Sequence, residues 1–293
     1  MVELYAQITR NKLKSYLFMA FLFALVLAIC WIASEVTAFG TAGVIVGVFI
    51  AAVSAIASYY GSDKLVLAMS GATPADEQQH KKLLNIIEEM SIAAGVPKPR
   101  AYVIKDPAIN AFATGRDPKH SSIAVTTGAI EKLSRDELEG VIAHEMSHIK
   151  NYDIRLMTFA VVMVGSIAIV SDFFLRSLLF GSERKEQKEG GSILTIIGIA
   201  LALLAPFFAQ LVHLAISRKR EYLADASAAL ITRYPKGLAD ALQKIGEDQN
   251  QLRFATKTTA PLYIANPFKK ASLSELLSTH PPLEKRIEAL RKM

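Results

Sequence analysis

Residues 144–148 run His144-Glu145-Met146-Ser147-His148. On a helix, residues four apart share one face, with Cβ atoms about 5–6 Å apart. Two imidazoles so placed can converge on a single zinc ion. Glu145, one step round the helix, is then left to act on water polarised by the metal rather than to ligate it. The chemistry implied is hydrolysis. It requires a helix at this point, and the flanking residues provide one. Ser134-Arg135-Asp136-Glu137 reads as a capping box, so a helix starts near Arg135. Leu138, Val141, Ile142 and Ile149 follow at helical spacing.

A catalytic zinc takes three protein ligands and leaves a position for water. The third ligand depends on what surrounds the pentapeptide. The chain has 293 residues, of which 52% are hydrophobic and 20% charged. The apolar excess is concentrated in uncharged runs at Ser15–Ser34, Val36–Ser62, Leu156–Ser171 and Gly190–Ser217. Each approaches the roughly 20 residues that cross a bilayer; the third can extend to Phe174, with Asp172 and Arg176 reaching the headgroups. Two consecutive spans make a hairpin whose ends emerge on one side. That brings His148, ahead of the third span, beside Glu221, four residues past the fourth. Glu221 is therefore the preferred third ligand. Asp225, one turn further on the same face, can fix the tautomer of a ligating histidine. His213, on the stripe of Ser217 and Glu221, and His280, in Ser278-Thr279-His280-Pro281-Pro282, remain rivals. His80 and His120 read as surface residues.

The net charge of +6 needs no nucleic acid, since no aromatic residues interleave with the basic ones. Arg10, Lys12 and Lys14 precede the first span, and Arg218, Lys219 and Arg220 follow the fourth, which places both ends in the cytoplasm. Arg176, Arg184, Lys185 and Lys188, between spans three and four, run against that rule. The lone cysteine, Cys30, excludes an internal disulfide and a thiolate metal site. The first span lacks a small-residue cleavage site where one is expected and reads as a retained anchor.

The expected division is 1–62 for an N-terminal tail and two spans, 63–155 for the first part of a catalytic domain, 156–217 for two further spans around a polar loop, and 218–293 for the second part. Within it, Asp76–Ala94 reads as a helix stopped by Gly95, with Pro97 and Pro99 beyond. Ala101–Ile104, Ala111–Thr114 and Ser122–Thr126 read as strands, with turns at Asp106-Pro107 and Gly115–Pro118. Gly43 and Gly47 allow close helix contact in the second span. The fold class is thus mainly α: four transmembrane helices and a zincin-like α+β catalytic domain with a small sheet.

Four blocks together resemble the HtpX-type membrane-bound zinc metalloproteases, relatives of the CaaX prenyl endopeptidase. They are Ile109–Gly115, Val141–His148, Ser217–Asp225 and Leu273–Arg286, in that order. The resemblance covers nearly the whole chain. It implies that His144, His148 and Glu221 hold one zinc ion and that Glu145 is the catalytic base. It implies that Asn110, Ala111, Phe112 and Ala113 border the substrate cleft. It also implies four spans, a cytoplasmic active site in the inner membrane, and a role in quality control of membrane proteins under stress.

The expected reaction is hydrolysis of peptide bonds in protein or peptide substrates, membrane proteins foremost, with the lipid bilayer as the other partner and no nucleic acid. His280 and Arg286 are candidates to steady the oxyanion, His280 preferred, and Arg286 is also a substrate-binding candidate. Asn110 can hydrogen-bond substrate backbone or cap a turn, and the strand after it can pair with an extended substrate. The alternatives are a CaaX-type prenyl protease, for which four spans leave little chamber, and a catalytically silent metal-binding scaffold, which would have no use for Glu145. Transport is disfavoured because the span interiors hold almost no ionisable groups.

Overall fold

The computed structural model describes residues 40–159, 161, 218–256, 259–267 and 281–293, together with 9–17, 19–21, 23 and 24. The described elements are helix α1 (Gly40–Met69), strand β1 (Ala72–Pro74), α2 (Lys81–Ala94), β2 (Arg100–Ile104), β3 (Ala111–Asp117) and β4 (His120–Thr126). They continue with α3 (Thr127–Lys132), α4 (Arg135–Lys150), α5 (Arg218–Thr232), α6 (Pro235–Glu247), a 3-10 turn (Ala260–Leu262) and α7 (Leu283–Arg291). The described part is mainly helical with one small mixed sheet.

The sheet order is β1-β2-β4-β3, with β2 and β4 parallel and the other pairs antiparallel. Side chains alternate between its faces with period two. Val103, Ala111, Ala113, Ile123 and Val125 point into a core shared with α2, α4, α5 and α6. Ile104, Phe112 and Ala124 point into a second core with Val66 and Leu67 of α1, Leu156, Met157, Leu262 and Tyr263. The strand alternation therefore separates a core under the helices from one beside α1.

Two expectations shift for local reasons. The helix expected from Asp76 begins at Lys81 because the Asp76 carboxylate accepts from the Gln78 and Gln79 amides, which holds residues 76–80 in a turn. It ends as expected at Gly95, whose φ of 68° is the left-handed cap that glycine favours. Strand β3 runs on past Thr114, where a turn was expected, through a bulge at Gly115. Gly115 has φ 143°, and a Cβ there would lie 2.3 Å from the His120 carbonyl oxygen, so no larger residue fits. Strand β1, three residues ending in proline at a sheet edge, has too little alternation to be seen in sequence.

Helix α4 starts as expected. Ser134 accepts from the Glu137 amide while the Glu137 side chain accepts from the Ser134 amide. Such a cap contributes about 1 kcal/mol. Every residue from Glu137 to Ile149 is buried except Glu139, which is only partly exposed. Helices α2, α5 and α6 and strand β3 pack around it. The crossing with α6 is close: a Cβ on Gly140 would lie 2.7 Å from the Leu238 nitrogen, and one on Gly237 2.6 Å from the Asp136 oxygen.

Of the four expected spans, the fourth lies outside the described residues, as do most of the first and of the third. Among the described residues, no helix is long and apolar enough to cross a membrane. The uncharged stretch of α1 exposes Ile45, Val48, Phe49, Val53 and Ile56.

Candidate metal site

Helix α4 presents His144 and His148 with ring centroids 4.8 Å apart and their Nε2 atoms 3.2 Å apart. Helix α5 packs along α4 and carries Glu221. One Glu221 oxygen lies 3.7 Å from His144 Nε2 and the other 3.7 Å from His148 Nε2. Thus the structure brings together the three residues proposed as ligands from sequence, all buried and with donor atoms within 4.8 Å of one another.

The outer nitrogens fix the tautomers. His144 Nδ1 is 3.0 Å from Asp225 Oδ1, and His148 Nδ1 is 3.1 Å from Asp153 Oδ2. A carboxylate only accepts, so each Nδ1 carries a proton, and in the neutral ring the Nε2 lone pair is the one turned inward. Two ring nitrogens and two Glu221 oxygens therefore converge on one point, an arrangement that calls for positive charge, as a proton on His148 or as a metal ion. Two nitrogens each about 2.0–2.1 Å from one tetrahedral zinc ion stand about 3.3 Å apart. The 3.2 Å separation fits.

The titration of the site follows from its burial. Burial drives His144 down to about 4, although the Asp225 hydrogen bond opposes this. Burial would also lower His148, but the Asp153 hydrogen bond and then the charges of Glu221, Asp153 and Glu145 outweigh it and raise the ring to about 9. The two rings part because the Arg286 charge acts against protonation of His144, whereas three carboxylates favour it on His148. Burial pushes Glu145 up to about 7, with Glu221 adding to the shift and His148 opposing it. Glu145 Oε1 is buried without a hydrogen-bond partner, and the Ala113 backbone of β3 favours the charged form of the carboxyl. An orphaned acceptor beside converging ligands is suited to receiving a proton from water.

The other expected site residues are placed as follows. Asp225 sits behind His144, where the sequence suggested a tautomer-fixing carboxylate. Arg286 is fully buried against the ligand cluster, with Nη1 3.7 Å from a Glu221 oxygen. Its Nε and Nη2 donate to Asp225 at 2.8 and 2.7 Å, and Nη1 donates to the Ile264 carbonyl at 2.8 Å. A guanidinium this firmly clamped cannot swing to a substrate without leaving Asp225 as an unpaired buried charge. Asn110 turns inward. It is only 4% exposed, its amide donates to the Ala265 carbonyl and its oxygen accepts from the Ala111 amide, so it joins two chain segments. Ala111 and Ala113 are buried in β3. Phe112 packs edge to face on Tyr263, 5.1 Å between centroids. His280 and His213 lie outside the described residues. His120 is exposed and pairs with Asp117 at 2.9 Å.

Three residues escaped the sequence. Asp153 backs His148, Arg220 donates to Asp153 at 3.3 Å, and Asn11 donates to it at 2.7 Å. Asp153 follows His148 by five residues, beyond the helix end, where helical spacing no longer applies. Its signal was a charged residue at the threshold of an apolar run. Arg220 read only as a topology charge, and nothing in the sequence singled out Asn11.

Residues 77–293 match the profile of peptidase family M48. The chain is 45% identical over 289 residues to a protease HtpX homolog of Dictyoglomus turgidum, covering 99% of this chain and 94% of the relative. It is 46% identical over 295 residues to a protease HtpX homolog of Caldanaerobacter subterraneus subsp. tengcongensis, covering 99% and 98%. In three dimensions it resembles the crystal structure of S. mikatae Ste24p, with 21% identity and a TM-score of 0.49 over 99% of this chain and 67% of that one.

Proposed function

The chain belongs to peptidase family M48, and on that footing we propose that it is an integral membrane zinc endopeptidase that hydrolyses misfolded or damaged membrane proteins. The observation that carries this is the meeting of His144, His148 and Glu221 beside the partnerless, buried Glu145 oxygen. His144, His148 and Glu221 would hold the zinc. When bound, zinc supplies a Lewis acid that polarises water and a substrate carbonyl. Asp225 and Asp153 would hold the two rings by Nδ1 and aim both Nε2 atoms at the metal. Glu145, with a carboxyl poised near neutrality by its burial, takes the proton from the attacking water and delivers it to the leaving amine. Strand β3, which packs on α4, borders the cleft where an extended substrate lies. His280 steadies the oxyanion.

Membrane residence is supported by the four uncharged runs and by the exposed apolar residues of α1. The basic residues that flank the runs support cytoplasmic termini and a cytoplasmic active site. The division at residues 62, 155 and 217 is proposed with it, the two catalytic parts being joined through α4 and α5.

The test is Glu145→Gln in the full chain, purified in detergent. We expect zinc to be retained at one ion per chain by metal analysis, and cleavage of an unfolded protein substrate to fall at least 1000-fold, about 4 kcal/mol in the barrier. Cleavage equal to the wild type would remove Glu145 as the base. An active wild type without zinc would remove the metal.

A further inference from the structure

The N-terminal segment lies directly on the support of the second histidine. Asn11 is 3% exposed although its sequence neighbours are the basic Arg10 and Lys12. Its amide nitrogen has two hydrogens, and both are used 140 residues away: one on the Asn151 carbonyl at 3.0 Å, the other on Asp153 Oδ1 at 2.7 Å. The other Asp153 oxygen accepts from His148 Nδ1 at 3.1 Å.

These contacts fall on an unusual turn. Helix α4 ends at Asn151, and Tyr152 has φ 59°, a left-handed conformation uncommon for a residue with a side chain. That single reversal brings Asp153 back toward His148. The N-terminal segment clamps the turn at three further points. Lys12 Nζ sits 4.2 Å from the centre of the Tyr152 ring. The guanidinium of Arg155 lies 5.7 Å from the Tyr16 ring centre, and Arg155 Nη1 reaches the Tyr16 hydroxyl at 3.5 Å. Ser15 donates to the Asn11 carbonyl at 2.8 Å and closes the segment on itself. Three side chains, Asn11, Lys12 and Tyr16, therefore grip residues 151–155.

We propose that residues 11–16, where the N-terminal tail enters the first apolar run, are part of the metal centre, with Asn11 a positioning residue that acts through Asp153 on His148. This rests on the zinc site proposed above. An amide suits the role because it donates to Asp153 without adding charge, so the carboxylate stays available to His148. The consequence is a link between the start of the chain and the grip on the metal. Any event that draws residues 11–16 away from the turn frees Asp153 and loosens His148.

The experiment uses the full chain in detergent as wild type, Asn11→Ala, Asn11→Asp, Asp153→Asn and the Asn11→Ala/Asp153→Asn double variant. Zinc release to a chromogenic chelator gives one readout, and the visible absorption of the cobalt-substituted protein the other. Groups that orient a metal ligand from behind are worth 10- to 100-fold in affinity. Asn11→Ala should speed zinc release about 10-fold and alter the cobalt bands, whereas a merely structural role would lower the melting temperature and leave those bands unchanged. Asn11→Asp, similar in shape but a carboxylate facing a carboxylate, should do so more strongly. The double variant should release zinc no faster than Asp153→Asn alone, since both act through one path. Wild-type release and spectra in both Asn11 variants, or additive effects in the double, would overturn the proposal and leave the peptidase reading intact. A wild type that neither holds zinc nor cleaves would remove both.

Discussion

The two imidazoles are backed by similar groups assembled differently. Behind His144 stand Asp225 and Arg286; behind His148 stand Asp153 and Arg220. Arg286 clasps both Asp225 oxygens and caps the Ile264 carbonyl with its remaining end. Arg220 reaches Asp153 once, at 3.3 Å, and its Nη2 is buried without a hydrogen-bond partner. The shorter contact to Asp153 comes from the neutral Asn11. A bidentate pair is rigid and strong, while a single long contact is neither. The first chain of groups is closed inside one folded unit, built from α4, α5 and α7. The second borrows a member from the start of the chain. Charge follows geometry: with Asp225 paired to a cation, His144 stays neutral, whereas His148 is drawn toward protonation by carboxylates less fully matched.

The sharpest way to break this contrast is to remove each arginine. Arg286→Ala leaves Asp225 buried and unpaired and should cost about 3–5 kcal/mol of stability. Arg220→Ala leaves Asp153 with Asn11 and should cost about 1 kcal/mol. Denaturant unfolding of the metal-free chain measures both. Equal losses would mean that the two supports differ only in appearance. Next come the carboxylates. Asp225→Asn and Asp153→Asn should each weaken zinc binding about 10- to 100-fold, read by competition with a chelator. Combining Asp225→Asn with Arg286→Met should restore part of the stability lost in Arg286→Met alone, because the unmatched buried charge goes with it.

A smaller effect distinguishes the halves by pH. Burial alone would raise the Asp225 carboxyl, but the Arg286 charge and hydrogen bonds, with those of His144, hold it below the ordinary carboxylate range. A depressed folded pKa contributes stability that is present above the unfolded value, about 3.9, and lost as pH falls through the folded one. Metal-free wild type should therefore lose stability progressively below about pH 5, in part through this group. Asp225→Asn should flatten that portion of the acid limb. An unchanged limb would show that Asp225 is not held in this way.

How much of the site could be read in advance depended on whether its spacing was local. His144, Glu145 and His148 lie within one turn of a helix whose cap is written in Ser134 and Glu137, and Glu221 and Asp225 are again one turn apart. Helical periodicity reports such sets directly. Joining the two sets needed only the hairpin argument. Asp153 was missed because a left-handed Tyr152 places it, and no residue type announces that conformation when it is not glycine. Asn11 was missed, and the pairing of Arg286 with Asp225 not foreseen, because these partners lie 142 and 61 residues apart and depend on packing. Strands β2, β3 and β4 were legible as short strand-like runs and β1 was not, while Asp76 and Gly115 moved element ends through local geometry that composition does not encode. Asn110 was read with two roles open, and its burial and bonds favour the turn-holding one.

The mildest perturbation acts on both supports at once and so measures their common base. Helix α4 carries both histidines, and its start is held by the Ser134–Glu137 box. Ser134→Ala removes one acceptor from the first turn and should cost about 1 kcal/mol in unfolding free energy. His144 lies nearly three turns beyond that cap, and the intervening residues are buried among α2, α5, α6 and β3. Fraying at Ser134 should therefore be arrested before it reaches the ligands. Zinc release from Ser134→Ala should match the wild type even as its melting temperature falls. Should release accelerate together with the loss of stability, the ligand geometry would be set by the helix as a whole, and the separate carboxylate supports behind His144 and His148 would matter less than their distances suggest.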